Sequence, residues 1–201
     1  MKIIIATRNE HKAKELKQLL NCDGLNLIAL SEIDPKNKIN EVEETGSTLI
    51  ENAYLKAQEI HDKIGLPCIA DDSGLEVDCL NGDPGVFSAR YAGKDCSVED
   101  NINKLLFKVK DFSSDEKTAS FKTVLAYVDK KLKFDVTGKV NGFISQEQIG
   151  NNGFGYDPIF IVKELRKTYA SLSSHQKSKI SHRAEAVRNI LVKFREFDII
   201  K

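Results

Sequence analysis

The sequence predicts an α/β fold in which a mixed central sheet is flanked by helices. Three observations support this prediction: short apolar runs alternate with helical segments, a strand-helix-strand pattern opens the chain, and two β-rich runs follow its midpoint. The chain has 201 residues and a hydrophobic content of 41%, which suits one well-packed domain. We therefore expect a single domain over residues 1–201.

The first thirty residues are predicted to form a βαβ unit with parallel strands. KIIIAT at positions 2–7 is typical of a buried strand, and HKAKELKQLL at 11–20 has apolar residues at helical spacing. Asn9 precedes that helix as a candidate N-cap. LNLIAL at 25–30 alternates like a second strand, and the polar stretch 31–44 is predicted to be a loop.

The next segments alternate between helix and strand. Thr48 and Glu51 match the S/T-x-x-E capping box, which predicts a helix of about four turns in TLIENAYLKAQEIHDKI. PCIAD and LEVDCL are predicted as short strands on either side of a turn at 71–74. NGDPG at 81–85 has strong turn chemistry, and Ser97 with Asp100 is expected to cap the helix SVEDNINKLLFKVK.

In the second half of the chain, residues 118–140 contain two β-rich runs separated by Asp129-Lys130-Lys131, which predicts an antiparallel hairpin. GFISQEQI is predicted as a further strand. GNNGFGYDP at 150–158 is a glycine-rich loop before the apolar run IFIV, and residues 174–197 are predicted to be helical with a break at 180–183.

Composition argues against several classes of function. Thirty basic residues balance thirty acidic ones, so no global field attracts nucleic acid or an anionic membrane. The longest apolar stretches are far shorter than the roughly 20 residues that span a bilayer, and no cleavage-site pattern follows Met1. We expect a cytoplasmic protein whose scattered cysteines are reduced thiols; these are Cys22, Cys68, Cys79 and Cys96.

The first polar cluster follows the first predicted strand and consists of Thr7, Arg8, Asn9, Glu10, His11 and Lys12. Backbone N–H groups at a helix N-terminus, joined by polar side chains and a lysine, suit a phosphate. Capping by Asn9 beside a solvated Lys12 explains the same segment without a ligand. The chain contains neither a Walker A loop nor G-x-G-x-x-G, which disfavours P-loop and dinucleotide-binding functions.

The second cluster lies in EVEETGSTLIENAYLKA at 41–57. Asn52 and Lys56 are four residues apart and therefore share a helix face, where they could hold phosphate while Glu43 or Glu44 holds a metal. A solvated amphipathic helix with an acidic entry loop is the alternative.

The third cluster is the pair Asp71 and Asp72. Successive side chains of a strand point to opposite faces, so either one carboxylate acts and the other supports it, or both are structural. Mg²⁺ is typically held by one or two carboxylates together with substrate phosphates. Asp72 with Glu43 or Glu44 would meet that need, and a carboxylate beside the metal can also take a proton from an attacking water.

The fourth cluster combines GFGYDP at 153–158 with KSKISHR at 177–183. Phe154 and Tyr156 offer aromatic faces for a nucleobase, whereas Lys177, His182 and Arg183 offer hydrogen-bond donors. A core phenylalanine beside a basic helix surface is the alternative explanation.

Taken together, these stretches resemble the inosine triphosphatase family, which comprises pyrophosphatases of non-standard purine nucleoside triphosphates. The resemblance spans the chain in order, through ATRNEHK at 6–12, EETGSTLIENAYLKA at 43–57, DDSGLEVDCLNGDPGVFSARYAG at 71–93, GFGYDPIF at 153–160 and SHRAEA at 181–186. It implies two lobes with the active cleft between them, a homodimer and a Mg²⁺ requirement. It also implies hydrolysis of ITP, dITP and XTP to the monophosphate and pyrophosphate, which removes these nucleotides from the pool.

The resemblance also implies residue roles. Asp72 would be the general base and a metal ligand, with Glu43 or Glu44 as a second ligand, and Lys12 and Lys56 would assist catalysis. The remaining predicted substrate contacts are Thr7, Arg8, Asn9, Glu10, His11, Asn52, Ser73, Phe154, Gly155, Tyr156, Asp157, Lys177, His182 and Arg183. Hypoxanthine and xanthine carry a 6-oxo acceptor where adenine carries an amino donor, so donors at this edge would favour ITP and XTP.

Two rival functions remain open from the sequence. A Maf-like pyrophosphatase would share the general fold but act on other nucleotides, and the SHR segment and aromatic GFGYD loop disfavour it. A non-catalytic nucleotide sensor would keep the lysines and Phe154 without a working acid, which the retained carboxylates disfavour.

Overall fold

Seven β-strands form one sheet in the computed structural model, which describes residues 1–200. The strands are β1 Lys2–Ile5, β2 Asn26–Ala29, β3 Cys68–Val77, β4 Thr118–Val128, β5 Lys133–Ile144, β6 Phe160–Val162 and β7 Lys167–Thr168. Their order across the sheet is β2-β1-β3-β4-β5-β6-β7. Strand β1 pairs in parallel with β2 and β3, whereas β6 pairs antiparallel with β5 and β7. The sheet is therefore mixed, as the sequence predicts.

Helices accompany this sheet throughout the chain. The α-helices are α1 Glu10–Leu19, α2 Leu30–Ile33, α3 Leu49–Ile64, α4 Val98–Val109, α5 Ser174–Ile180 and α6 His182–Glu196. Short 3₁₀-helices span Asp78–Leu80, Gly85–Arg90 and Tyr169–Ser171. The predicted α/β class is confirmed.

The chain divides into two compact units, each with its own apolar core. The first unit contains Met1–Asp72, Thr123–Gly138 and the residues from Arg183 on, and the second contains Ser73–Lys122 and Lys139–His182. The core of the first unit includes Ile3, Ile5, Leu16, Ile69, Tyr127, Ile190 and Phe194. The core of the second unit includes Leu75, Leu105, Phe121, Tyr156, Phe160 and Tyr169.

The predicted helix starts are confirmed by their hydrogen bonds. The Asn9 side chain accepts a hydrogen bond from the Lys12 backbone N–H at 3.1 Å and so caps α1. Thr48 and Glu51 form the reciprocal capping box of α3, and Ser97 with Asp100 forms that of α4. These local bonds fix where each helix begins, and hence which of its side chains face the core.

Three predicted elements were wrong. The expected turn at 71–74 does not form, because β3 runs unbroken from Cys68 to Val77 and buries both aspartates. The segment 31–44 is not wholly a loop, since α2 covers Leu30–Ile33. GFISQEQI is not a separate strand: Gly142–Ile144 end β5 and pair with β6.

The first of these errors has a physical cause. Two consecutive carboxylates usually indicate a solvated turn, because burying an unpaired charge is costly. Here each aspartate has its own cationic partner, so the strand can carry both through the interior.

Two other expectations concern membranes and thiols. None of the helices within residues 1–200 has the length and apolar character needed to cross a membrane. The four cysteines are all free thiols, as predicted. Burial raises the pKa of the Cys68 thiol to about 12, so this cysteine is an inert part of the core.

Candidate active site

In the first unit, Asp71 lies at the centre of a buried ion-pair cluster. Its Oδ2 accepts hydrogen bonds from Arg183 Nε at 3.0 Å and Nη2 at 2.9 Å. Its Oδ1 lies 2.9 Å from the ammonium of Lys12, and Arg183 also pairs with Glu15 on α1. Asp71 and Arg183 are both essentially inaccessible to solvent, so this is a buried pair and not a surface contact.

These cations determine the charge of Asp71. Burial alone would raise the pKa of the carboxyl, but the positive charges of Lys12, Arg183 and Lys56 outweigh that effect and hold the pKa well below its usual range. Asp71 is therefore ionised at neutral pH and unsuited to exchange protons. Its position instead favours a supporting role, since it fixes the Lys12 ammonium at the start of α1.

Asp72, the next residue of β3, has different partners. Its Oδ1 accepts a hydrogen bond from Lys56 Nζ at 2.7 Å, and the same ammonium donates to Glu44 Oε1 at 2.6 Å. Burial and the negative charge of Glu44 raise the pKa of Asp72 despite the nearby ammonium groups of Lys56 and Lys12. A raised pKa suits a group that takes up a proton during a reaction.

The second oxygen of Asp72 is unused. Asp72 Oδ2 is buried and has no hydrogen-bond partner within residues 1–200. Buried carboxylate oxygens are normally satisfied, so an unsatisfied one beside a cluster of charges marks a place for a cation or a water. Glu44 is half-buried next to Lys56, whereas Glu43 is exposed, so the structure brings Glu44 into this cluster.

Asn52 adds a second unsatisfied atom to the same region of the first unit. Its Oδ1 accepts a hydrogen bond from the Gly46 N–H at 2.8 Å, and its Nδ2 is buried without a partner among residues 1–200. A Cβ at position 46 would lie 2.6 Å from Asn52 Oδ1, so only glycine allows this approach. The bond orients the amide with its donor group left over for a ligand.

Some residues of the segment from Thr7 to Lys12 contact each other, and others contact residues that are distant in sequence. Asn9 caps α1, and the Thr7 hydroxyl accepts a bond from the Asn9 N–H at 3.2 Å. Arg8 stabilises the 34–39 loop, because its guanidinium forms an ion pair with Asp34 and donates a hydrogen bond to Asn37 Oδ1 at 2.8 Å. The side chains of Glu10 and His11 are exposed, so Lys12 is the member of this segment that reaches Asp71.

In the second unit, a buried lysine organises the glycine-rich loop. Lys177 Nζ donates to Asp157 Oδ2 at 2.7 Å, and that oxygen also accepts the Phe154 backbone N–H at 2.9 Å. The ammonium lies 4.8 Å from the ring centroid of Phe154 and 5.5 Å from that of Tyr169. One charged group thereby fixes both the loop backbone and the aromatic ring.

The glycines of this loop have a steric role. A Cβ at Gly153 would lie 1.9 Å from Asp157 Oδ2, and Gly153 and Gly155 have positive φ angles of 78° and 60°. Tyr156, by contrast, points into the core and donates its hydroxyl to Ser88 O at 2.9 Å. Phe154 is therefore the half-buried aromatic side chain of the pair.

His182 lies against an aromatic wall in the second unit. Its ring stacks on Phe121 with centroids 4.5 Å apart and an interplanar angle of 7°, and Tyr169 lies 5.9 Å away at 39°. Arg183 is the next residue in sequence but belongs to the first unit, where Asp71 and Glu15 hold its guanidinium. Half-buried Ser73 is the first residue of the second unit, directly after Asp72.

The structure thus brings the predicted site residues into two groups, one in each unit. In the first unit it gathers Lys12, Glu44, Asn52, Lys56, Asp71, Asp72 and Arg183. In the second it gathers Phe154, Asp157, Lys177 and His182. Glu15, Phe121 and Tyr169 also contact these groups but were not predicted, because nothing in the sequence around them differs from an ordinary structural element. Only the Glu15 spacing, three residues after Lys12 on α1, signalled a shared face.

Comparisons with known proteins match this chain over nearly its full length. The sequence model of the Ham1 family matches residues 3–193. A dITP/XTP pyrophosphatase of Photorhabdus laumondii is 45% identical over 193 residues, which cover 94% of this chain and 96% of that protein. One of Bacillus subtilis strain 168 is 45% identical over 188 residues, or 93% of each chain. The solved structure of the Staphylococcus aureus Ham1 protein has a TM-score of 0.85 and 43% identity, and covers 98% of this chain and 100% of that one.

Proposed function

This chain belongs to the Ham1 family, and from that premise we propose that it is a pyrophosphatase of dITP, ITP and XTP. The resemblance to the inosine triphosphatase family is thereby confirmed. The protein is a hydrolase that cleaves an anhydride bond of nucleoside triphosphates and so removes abnormal purine nucleotides from the pool. The observation that carries the proposal is the pairing of Lys56 with both Asp72 and Glu44, because it places a proton acceptor beside an ammonium group that can bind phosphate.

We assign the triphosphate to the first unit. Lys12 follows the capped N-terminus of α1, where backbone N–H groups and the helix dipole favour an anion. Lys56 and the unpaired Nδ2 of Asn52 supply further donors from α3. The Thr7–Lys12 segment, including Arg8, Glu10 and His11, stays in the proposal as the loop that the phosphates approach.

We assign a Mg²⁺ ion to the carboxylates of the same unit. The unsatisfied Oδ2 of Asp72 and the neighbouring Glu44 are hard oxygen donors, so the residues present fit this ion. Glu43 is exposed and is the less suitable ligand of the two glutamates. When bound, Mg²⁺ would neutralise phosphate charge and favour ionisation of a nearby water.

The proposed reaction is attack of water on the α-phosphorus. Asp72 takes a proton from the water as the new O–P bond forms, and the bond from the α-phosphorus to the bridging oxygen of the β-phosphate breaks. The electron pair of that bond leaves with pyrophosphate, whose growing negative charge Lys12 and Lys56 stabilise. The products are the nucleoside monophosphate and pyrophosphate.

We assign the base to the second unit. Phe154 supplies a stacking face on the glycine-rich loop, with Gly155, Tyr156 and Asp157 shaping it. Lys177 and His182 are proposed to contact the edge of the base, with His182 as a donor to the 6-oxo group, and Ser73 is proposed as a further substrate contact. Base contact by Arg183 also stays a prediction, although its guanidinium is engaged with Asp71 and Glu15.

The oligomeric state, the compartment and the domain count complete the proposal. We propose a homodimer, a cytoplasmic location that matches the nucleotide pool, and one inosine triphosphatase-like domain over residues 1–201. Sedimentation analysis of the purified chain tests the first of these, and a monomer at micromolar concentration would contradict it.

The decisive experiment is a substrate panel. Purified protein with Mg²⁺ is incubated with ITP, dITP, XTP, GTP, ATP and dTTP, and nucleotide products, pyrophosphate and phosphate are measured separately. We expect IMP, dIMP or XMP together with pyrophosphate, and little turnover of the other three. Diphosphate nucleotides with free phosphate would overturn the α-phosphorus mechanism. Preferred turnover of dTTP would point to a Maf-like activity, and tight ITP binding without turnover to a sensor.

A further inference from the structure

Phe121 is a buried residue of β4 that none of the site motifs contains. Its ring lies parallel to the imidazole of His182, with an interplanar angle of 7° and a centroid distance of 4.5 Å. Phe160 packs against Phe121 edge-on, at 4.9 Å and 74°, and Tyr169 packs against it at 6.0 Å. The phenylalanine is thus held on several sides, all within the second unit.

This stacking restricts how His182 can act. A parallel aromatic neighbour covers one face of the imidazole, so polar contacts are left to the ring edge, where the two nitrogens lie. Rotation of the imidazole about its bond to Cβ would drive the ring into Phe121, which is packed in the core of the second unit. The edge of His182 therefore has a fixed direction before any ligand arrives.

We propose that Phe121 is a specificity-determining positioning residue, which selects for 6-oxo purines by holding the plane of His182. The proposal rests on the proposed function, because it assumes that His182 contacts the base. A donor that is fixed in direction discriminates more strongly than a mobile one, since it cannot tilt away from an amino group presented at the same place. Phe121 itself acts through His182.

The first test compares Phe121→Leu with Phe160→Leu. Both variants remove a buried ring from the same core, so they share the cost of a cavity, but only the first removes the surface on which His182 stacks. We expect Phe121→Leu to lower the ratio of kcat/KM for ITP to that for ATP by roughly tenfold, the effect of about one well-placed hydrogen bond. Phe160→Leu should change both rates in parallel. An unaltered ratio in Phe121→Leu would overturn the proposal.

A double variant separates positioning from general damage. If Phe121 acts through His182, the His182→Gln variant already lacks the discrimination, and adding Phe121→Leu should not lower the ratio further. Additive losses in Phe121→Leu/His182→Gln would show that Phe121 acts by another route and would contradict the proposal.

Histidine NMR supplies a readout that does not depend on turnover. The ring current of Phe121 should shift the Cε1–H proton signal of His182, which is identified by its loss in His182→Gln. Phe121→Leu should move this signal by several tenths of a ppm, and Phe160→Leu should leave it nearly in place. An unchanged chemical shift of this signal in Phe121→Leu would refute the stacking. Wild-type protein that fails to hydrolyse ITP would instead refute the proposed function, whatever the NMR result.

Discussion

Replacing Asp71 by asparagine is the sharpest test of the buried cluster in the first unit. The substitution keeps the size of the side chain and one carbonyl oxygen but removes its negative charge. Arg183 would retain Glu15 as an ionic partner, and Lys12 would lose the carboxylate that lies 2.9 Å from it. The change therefore leaves a buried guanidinium only partly compensated.

The expected magnitude follows from these contacts. Removing one partner of a buried ion pair costs about 3 to 5 kcal/mol. Because asparagine still accepts one hydrogen bond from Arg183, the lower end applies, and we expect a loss of about 3 kcal/mol in the free energy of unfolding. With an m-value of about 2 kcal/mol/M, the midpoint of urea unfolding should fall by about 1.5 M.

The pH dependence of the stability difference between wild type and Asp71→Asn gives a second, independent test. The pKa of Asp71 is lower in the folded protein than its usual value of 3.8, so its charge stabilises the fold above that value. As the pH falls below about 4, the unfolded chain binds a proton there before the folded chain does, and the stabilisation is lost. The gap between wild type and Asp71→Asn should be constant from pH 5 to 8 and shrink in acid.

Urea titrations followed by circular dichroism at several pH values measure both effects. Glu196→Gln is the matched control, because it also converts an acid to its amide in an ion pair of the first unit, with Lys193, but on the surface. Its midpoint should stay within experimental error of wild type. A midpoint for Asp71→Asn that also stays there, or a stability gap that widens in acid, would refute the account of the cluster.

Three further predictions concern activity. Asp72→Asn should abolish pyrophosphate release from ITP while the circular dichroism spectrum stays native. Normal turnover would contradict the assignment of Asp72 as the general base. Gly153→Ala should raise the KM for ITP at least tenfold, because the new methyl would overlap Asp157 in a loop with positive φ; an unchanged KM would separate this loop from base binding. Arg183→Ala should lower the ratio of ITP turnover to ATP turnover if Arg183 contacts the nucleobase. An equal loss for both nucleotides would limit the role of Arg183 to the Asp71 cluster.

Local patterns predicted the parts of the fold that local chemistry determines. The Thr48/Glu51 capping box and the Asn9 cap predicted the starts of α3 and α1, since a cap is satisfied by residues three positions away. The strand through Asp71 and Asp72 could not be predicted in this way. Their cationic partners come from α1, α3 and α6, so the contacts that permit burial are distant in sequence.

The same distinction applies to the candidate site. Its polar residues form recognisable clusters in the sequence, and the structure brings most of them into one group per unit. Glu15 and Phe121 were not predicted, because their roles come from tertiary neighbours: an arginine 168 residues away for the first and a histidine at the start of α6 for the second. In the sequence, a phenylalanine of an apolar strand such as Phe121 does not differ from other core residues, so its contact with His182 could not be predicted.

The unbroken course of β3 has a consequence for how this segment can vary. Side chains of a strand alternate in direction. The face to which each of the two carboxylates points therefore depends on how many residues separate it from Cys68 and Ile69, where β3 pairs with β1. Inserting or deleting one residue before Asp71 would turn each acid to the opposite face of the strand, away from its own cationic partners, although every residue type was retained. Changes in chain length should therefore be confined to loops outside the site, such as 110–116 between α4 and β4, while β3 accepts only substitutions.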